Sequence, residues 1–306
     1  MRLRVLAPHL LKSNEWPTLI ALGGCYAVWA LALAFAEALP WIWWIPAALA
    51  AALHSSLQHE VLHGHPTRSP LLNEALVFPA LSVFYPYRRY REMHLKHHNN
   101  PLLTDPYDDP ESWYVAQRDW AAMSPAMRAL LNLNGTLAGR LIVGPWLGLY
   151  AFARGDYGRW RRGDRHIPGQ WALHLPALAL VFGVAWALGP DPLTYLLAVV
   201  WPAQSLLAIR TYIEHRAAPA PEHRSAIVEA EWLFRLLFLN NSLHALHHER
   251  PSVPWSRLPA LYRAEADAVV QRNGGYLVRG YASVFATYLF RRREPVEHPY
   301  RRRIDP

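Results

Sequence analysis

The chain has 306 residues and a formal net charge of +8, and 52% of its residues are hydrophobic. Its mean hydropathy is −0.02, so the apolar residues must be gathered into segments and offset by strongly polar ones. The single cysteine, Cys25, excludes a disulfide framework, a zinc ribbon or a multi-cysteine iron centre built within this chain.

In chain order, residues 1–16 are polar and basic (Arg2, Arg4, Lys12), and residues 17–39 form a first apolar run. At about 1.5 Å per residue such a run crosses roughly 30 Å of hydrocarbon. Ala34-Phe35-Ala36 has the small residues of a signal-peptidase site, but the polar head is long and a second apolar run follows at once, which favours a retained anchor. Pro40 breaks the chain, and residues 41–58 form the second run, opening with Trp41, Trp43 and Trp44 as an interfacial belt. A helical hairpin is expected here.

Residues 59–170 are polar and Pro-rich, interrupted by apolar stretches at 71–86 and 136–153. The second of these has a central Pro and flanking Arg140 and Arg154, and reads as an interfacial or re-entrant helix, with a fifth span as the alternative. Runs at 171–188 and 192–210 make a second hairpin about Gly189-Pro190-Asp191-Pro192. The remainder, 211–306, is polar, with an aromatic patch at 275–290 fit for a membrane surface. It ends in two basic triplets, Arg291–Arg293 and Arg301–Arg303.

Charge sets an orientation. The two hairpin turns carry Glu37 and Asp191 and no Lys or Arg, whereas the N-terminus, the 59–170 loop and the C-terminal region hold the basic residues. The positive-inside rule makes those three segments cytoplasmic, and this use of the basic charge displaces nucleic-acid binding as its explanation. The expected fold is an all-α integral membrane domain spanning 1–306, with four transmembrane helices in two hairpins and a cytoplasmic helical cap. The Arg, Ala, Pro and Trp content points to a bacterial plasma membrane.

Sixteen histidines are clustered. His59-Glu60-Val61-Leu62-His63 follows the second run, His94-Leu95-Lys96-His97-His98 comes about thirty residues later, His215 follows the fourth run, and His244-Ala245-Leu246-His247-His248 closes the set. Residues at i, i+3 and i+4 share a helix face, so HxxxH aims two imidazoles at one point and each HxxHH presents three. At about 5% histidine, one HxxHH arises by chance in roughly one chain in twenty-five of this length, and two in about one in a thousand. A shared metal site is therefore expected at one end of the bundle. Imidazole suits iron, copper, zinc and nickel alike, so spacing does not name the metal. His65 extends the first cluster as a further ligand or a supporting residue. His54 and His174 lie inside apolar runs and read as packing or polar pairs, and His9, His166, His223 and His298 read as surface residues.

HEVLH, HLKHH and HALHH resemble, in order and in place, the three histidine boxes of the membrane fatty acid desaturase superfamily, which includes acyl-CoA desaturases, alkane hydroxylases and carotenoid ketolases. The resemblance covers about residues 20–250. It implies two iron ions cycling between Fe2+ and Fe3+, O2 as co-substrate, and His59, His63, His94, His97, His98, His215, His244, His247 and His248 as ligands. TYIEH around His215 is similar to an additional box of the alkane hydroxylases, with Thr211 where that pattern has Asn, and HEVLHGH leans towards that branch and the ketolases. Residues 103–111, with Asp105, Asp108, Asp109 and Glu111, look like those of some bacterial desaturase-like proteins. Desaturation of a fatty acyl or related chain is the reading favoured here, with hydroxylation of an alkyl, acyl or terpenoid chain as its alternative. Either reaction attacks an unactivated C–H bond, which side-chain acid–base chemistry cannot do without a redox cofactor.

Glu60, Glu92, Glu214 and Glu249 each adjoin a box, and Glu60 and Glu214 are the candidates for orienting ligand imidazoles. Arg88, Arg89, Arg91 and Lys96 offer a basic surface to a phosphate-bearing carrier, a lipid headgroup or an acidic electron donor. With one cysteine and no cytochrome b5 haem signature, the donor is expected to be a separate protein of ferredoxin, rubredoxin or cytochrome b5 type. Two rivals stand beside this reading. HEVLH also satisfies HExxH, the zinc metalloprotease pattern, with Glu60 as general base, but two HxxHH clusters are then unexplained. A metal transporter would hold its site near the membrane midplane rather than at span ends.

Overall fold

The computed structural model describes residues 15–300; Arg2, Arg4, His9, Lys12 and Arg301–Arg303 lie outside them. The first hairpin consists of α1 (Trp16–Ala34) and α2 (Trp44–Leu62), joined by a turn containing Trp41 and Ile42. Leu22, Cys25, Trp29 and Leu33 of α1 recur at helical spacing and are buried, while Ile20, Val28, Leu31 and Phe35 cover the opposite, exposed side. The facing stretch of α2 is almost all alanine (Ala47, Ala48, Ala50, Ala51, Ala52), which lets the backbones approach closely enough for the Cys25 thiol to donate to the Ala50 carbonyl at 3.1 Å.

The 59–170 region is helical rather than a loop. It holds α3 (Pro70–Leu76), α4 (Tyr87–His98), α5 (Gln117–Ala122), α6 (Pro125–Asn134), α7 (Leu137–Ile142) and α8 (Gly144–Arg161). The 136–153 stretch does not form one continuous helix. It breaks at Val143, and Pro145 stands in the first turn of α8, where a missing N–H costs nothing.

The second hairpin pairs α9 (His166–Leu188) with a helix running Pro192–Thr211, made of α10 (Pro192–Tyr195), a π turn (Leu196–Val200) and α11 (Trp201–Thr211). Pro202 explains the π turn: its ring would strike the carbonyl four residues back in a regular helix, and the wider register relieves the clash. Gly189, at φ +129°, lies against the Glu37 side chain, so the two hairpin turns are neighbours at one end of the bundle. Trp29 Nε1 donates to Tyr195 Oη at 2.9 Å, and that hydroxyl donates to the Leu81 carbonyl at 2.8 Å, tying both hairpins to the segment before α4.

Among the described residues three helical stretches are long and apolar enough to cross a membrane: Trp16–Ala34, His166–Leu188 and Pro192–Thr211. Helix α2 has 19 residues, but its C-terminal half carries His54, Ser55, Ser56, Gln58, His59 and Glu60, which lowers its apolar character.

The C-terminal region adds α12 (Trp232–Leu237), α13 (His244–Glu249), α14 (Leu258–Arg272) and α15 (Tyr281–Tyr288). It also adds a small exception to an all-helical fold, the parallel pair β1 (Ile227–Val228) and β2 (Leu277–Val278). The 275–290 patch is only partly a surface: Tyr281 and Val284 are buried in the core, whereas Phe290 is exposed.

Candidate metal centre

Box one sits at the C-terminal end of α2, box two on the last turns of α4, and box three forms the short helix α13. Together with His215, just beyond α11, they converge at the end of the bundle opposite the hairpin turns. Helix α4 is anchored there from behind. Arg89, fully buried, donates to Asp156 of α8 through Nε (3.1 Å) and Nη2 (2.7 Å), and Trp171 of α9 donates to the same carboxylate at 2.8 Å.

The nine histidines form two groups: His59, His63, His94, His98 and His247 in one, and His97, His215, His244 and His248 in the other. In each group the potential ligand atoms lie within 4.8 Å of one another. Helical geometry explains the division. Each i, i+4 pair (His59/His63, His94/His98, His244/His248) stays in one group, while the remaining histidine of an HxxHH, adjacent in sequence and turned by about 100°, faces the other. Each HxxHH thus divides its three rings between the two groups. The groups are neighbours, since His98 and His248 stack with ring centroids 4.1 Å apart.

Several rings are fixed through Nδ1. His97 donates to Asp109 at 2.7 Å, His94 to Glu111 at 2.8 Å, and His244 Nδ1 lies 3.3 Å from Asn241 Oδ1 and 3.4 Å from Glu214 Oε1. His215 Nδ1 is 3.3 Å from Ser225 Oγ. A neutral imidazole carries one N–H, so a ring that spends it on a carboxylate presents a bare Nε2 lone pair.

The Nε2 atoms of the cluster face one another. His215 Nε2 lies 3.1 Å from His97 Nε2 and 2.9 Å from His244 Nε2, His248 Nε2 lies 3.1 Å from His244 Nε2, and His247 Nε2 lies 3.2 Å from His98 Nε2. The Nε2 atoms of His63 and His94 are buried with no hydrogen-bond partner. Lone pairs directed at one another inside a protein are unfavourable unless a cation sits between them, so the donor set fits metal ions in both groups.

Burial, reinforced by neighbouring imidazoles, holds His215, His244, His247 and His248 well below the ordinary histidine range and pushes His98 down to about 3. The neutral ring is the form that ligates. His97 moves the other way. Burial opposes its charge, but the Glu111 charge and the Asp109 hydrogen bond outweigh it and carry the ring up to about 8. Glu111 is held well below the usual carboxylate range: burial works against its charge, and His94 and His97 overcome it.

Of the four acids adjoining the boxes, Glu214 reaches a box imidazole, His244, and also pairs with Arg210 at 2.7 Å. Glu60 accepts from the Trp255 amide at 3.0 Å and lies 4.0 Å from His65 Nε2. Glu92 pairs with Arg89 and Arg159, and Glu249 with Arg272. Asp109, Glu111 and Asn241, which hold box imidazoles, were not singled out for that task by sequence. His65 lies outside both histidine groups, against Glu15 and Glu60. His54 pairs with the Tyr26 hydroxyl (2.9 Å) and His174 donates to the Val83 carbonyl (2.9 Å), in keeping with packing roles. His166 is exposed and His223 half-buried, but His298, expected at the surface, is buried between Thr104 and Tyr300.

A mostly helical bundle with apolar, span-length helices and two histidine groups at one end is an architecture compatible with membrane insertion and metal binding. Comparison with protein families matches residues 37–280 to the fatty acid desaturase family. The match covers most of the chain, including all three boxes and His215, and the chain belongs to that family of membrane, lipid-directed oxidoreductases. No curated protein matches the chain significantly.

Proposed function

We propose that the chain is a membrane di-iron oxidase that uses O2 and externally supplied electrons to desaturate a fatty acyl or related lipid chain. The observation that carries this reading is the convergence of nine imidazoles into two adjoining groups in a member of the fatty acid desaturase family. His59, His63, His94, His98 and His247 would hold one iron and His97, His215, His244 and His248 the other. Bound there, the irons supply O2 activation and abstraction of hydrogen from an unactivated C–H bond.

The protein's own contribution is position. Asp109, Glu111, Asn241 and Glu214 hold their rings so that Nε2 faces inward, and the burial of the cluster keeps bulk water away. A cavity of about 520 Å³ lies beside box one, with apolar walls from Val61, Leu62, Pro70 and Leu71 and a charged rim in which Arg68, Arg88 and Arg91 stand beside Glu74 and Glu92, Arg88 pairing with Glu74. That combination suits an apolar chain with a polar head. Four spans (17–39, 41–58, 171–188 and 192–210) and a cytoplasmic cap in a bacterial plasma membrane complete the reading, as one domain over 1–306. It draws support from the adjacent, Lys- and Arg-free hairpin turns at one end and the basic residues at the other. The electron donor is then a separate protein of ferredoxin, rubredoxin or cytochrome b5 type.

The test is expression in a host with defined lipids, followed by mass spectrometry of total lipid. New double bonds that vanish in His97→Ala and His247→Ala support desaturation. New hydroxyl groups would replace it with the hydroxylase reading, and an unchanged lipid profile accompanied by peptidase activity would overturn both.

A further inference from the structure

Helix α8 carries an aromatic stripe that no other element covers. Its exposure runs from 38% at Trp146 to 59% at Tyr150, with Tyr157 and Trp160 between these values, and Ala153 in the middle of the stripe is exposed as well. At about 100° per residue these five positions fall within roughly 80° of one helix face. Phe152 and Asp156 turn away from it into the protein, against Trp171, and exposed Gly155 lies on the side opposite the stripe. We propose that α8 docks obliquely into the membrane leaflet on the side of the histidine boxes, with the stripe in lipid and its arginines on anionic headgroups. The proposal rests on α9 and Pro192–Thr211 being spans, as in the reading above, and not on the reaction catalysed.

Residue type and depth favour lipid as the occupant. Trp and Tyr combine an apolar ring with a polar tip, which suits the boundary between hydrocarbon and water. The contacts of α8 place it at that level. Asp156 accepts from Trp171 Nε1 at 2.8 Å, about 8 Å along α9 from its start at His166. The other end of α8 lies deeper: Trp146 packs against Trp201, and Trp201 Nε1 donates to the Ile142 carbonyl at 3.2 Å, about 15 Å along α11 from its end at Thr211.

Charge follows the same slope. Residues 141–153 carry none, and the arginines begin at Arg154. The acids of α8 and the turn after it, Asp156 and Asp164, are spent on Arg89 and Arg159, which leaves Arg154, Arg161, Arg162 and Arg165 exposed at the shallow end. Such a cluster complements the phosphates of an anionic leaflet. Because Asp156 also fastens Arg89 of α4, the seat of α8 in lipid sets the height of box two above the hydrocarbon.

The test uses the full-length protein in vesicles of phosphatidylcholine and phosphatidylglycerol, with nitroxide labels on single introduced cysteines. Relaxation by O2, which concentrates in lipid, is compared with relaxation by a water-soluble nickel chelate. Trp146→Cys and Tyr150→Cys are expected to favour O2 strongly and Tyr157→Cys less so, while Gly155→Cys favours nickel. Leu180→Cys, exposed on α9, is the control for a span and favours O2. A stripe open to nickel beside a lipid-exposed Leu180→Cys would overturn the proposal and leave the spans standing. A stripe closed to both reagents would overturn it in favour of a protein partner such as a second copy of the chain. Nickel access at Leu180→Cys would remove the spanning reading and the proposal together. Arg161→Gln/Arg162→Gln is expected to retain several-fold less phosphatidylglycerol than the wild type, counted by mass spectrometry of co-purified lipid. Equal retention would overturn the assignment of anionic headgroups.

Discussion

Asp109 accepts the Nδ1 proton of His97 at 2.7 Å with both side chains 1% exposed, and the same carboxylate also accepts from the Thr104 amide (2.7 Å) and the Glu111 amide (3.0 Å). One residue therefore shapes its own loop, carries Glu111 to His94 and fixes the ring of His97. Asp109→Asn keeps the size of the side chain but replaces a carboxylate oxygen with a donor. The expected outcome is a metal affinity weakened about 10–100-fold, the usual cost of losing such a partner. Competitive chelation of the purified variant measures it. Wild-type affinity would mean that the loop backbone alone holds His97.

That the sequence does not reveal Asp109 and Glu111 as partners of box imidazoles has a physical cause. The boxes are legible because ligands at i and i+4 follow the helix period, and the spans because hydropathy accumulates over a window. Asp109 and Glu111 lie in a loop, 12 and 17 residues from the imidazoles they hold, and a loop contact has no period. Adjacency misleads for the related reason that neighbours on a helix point about 100° apart. Glu92 precedes box two and Glu249 follows box three, yet each turns to an arginine. The division of each HxxHH between two groups follows from the same angle. The Glu15–His65 contact joins residues 50 apart, across a hairpin whose register the sequence does not specify.

The two groups draw on different residues, so single substitutions are expected to act on one group at a time. His63→Ala removes a donor from the group of five, and His215→Ala removes one from the group of four, in which His215 Nε2 contacts both His97 and His244. Each variant should lose about one of the two irons attributed to these groups, and His215→Ala the more completely because its group has fewer donors to spare. Iron content per chain, with Mössbauer spectra to separate paired from single iron, reports this. Loss of both irons from either variant would show that the groups fill only as a unit.

The Arg89–Asp156 pair joins box two to the second hairpin, and burying it has consequences for stability. Asp156→Ala leaves Arg89 sealed with only the half-exposed Glu92 as partner and strips Trp171 of its acceptor. Breaking a buried pair in this way costs about 3–5 kcal/mol, whereas replacing both members with apolar residues is often near neutral. Asp156→Ala is therefore expected to lower the thermal midpoint in detergent well below that of Arg89→Met/Asp156→Leu. Tryptophan fluorescence on heating measures both, and equal midpoints would place the pair's value in packing alone.

The topology makes a prediction that the single cysteine renders clean. Cys25 is 2% exposed and packed against α2, so it is a silent background for thiol labelling. Glu37 and Asp191 are exposed in the two turns at one end of the bundle, while Lys96 and Arg263 are exposed on α4 and α14, in the part of the chain that carries the boxes. If 41–58 is a full span despite its polar C-terminal half, both turns lie on one side of the membrane and both cap positions on the other. Glu37→Cys and Asp191→Cys should then react with an impermeant maleimide in intact cells. Lys96→Cys and Arg263→Cys should react only after permeabilisation, since the basic residues stay inside. The deciding comparison is Glu37→Cys against Lys96→Cys, which flank α2. Labelling of both in intact cells would make α2 a helix that dips into the membrane without crossing it, and would leave the three apolar helices as the only spans among the described residues.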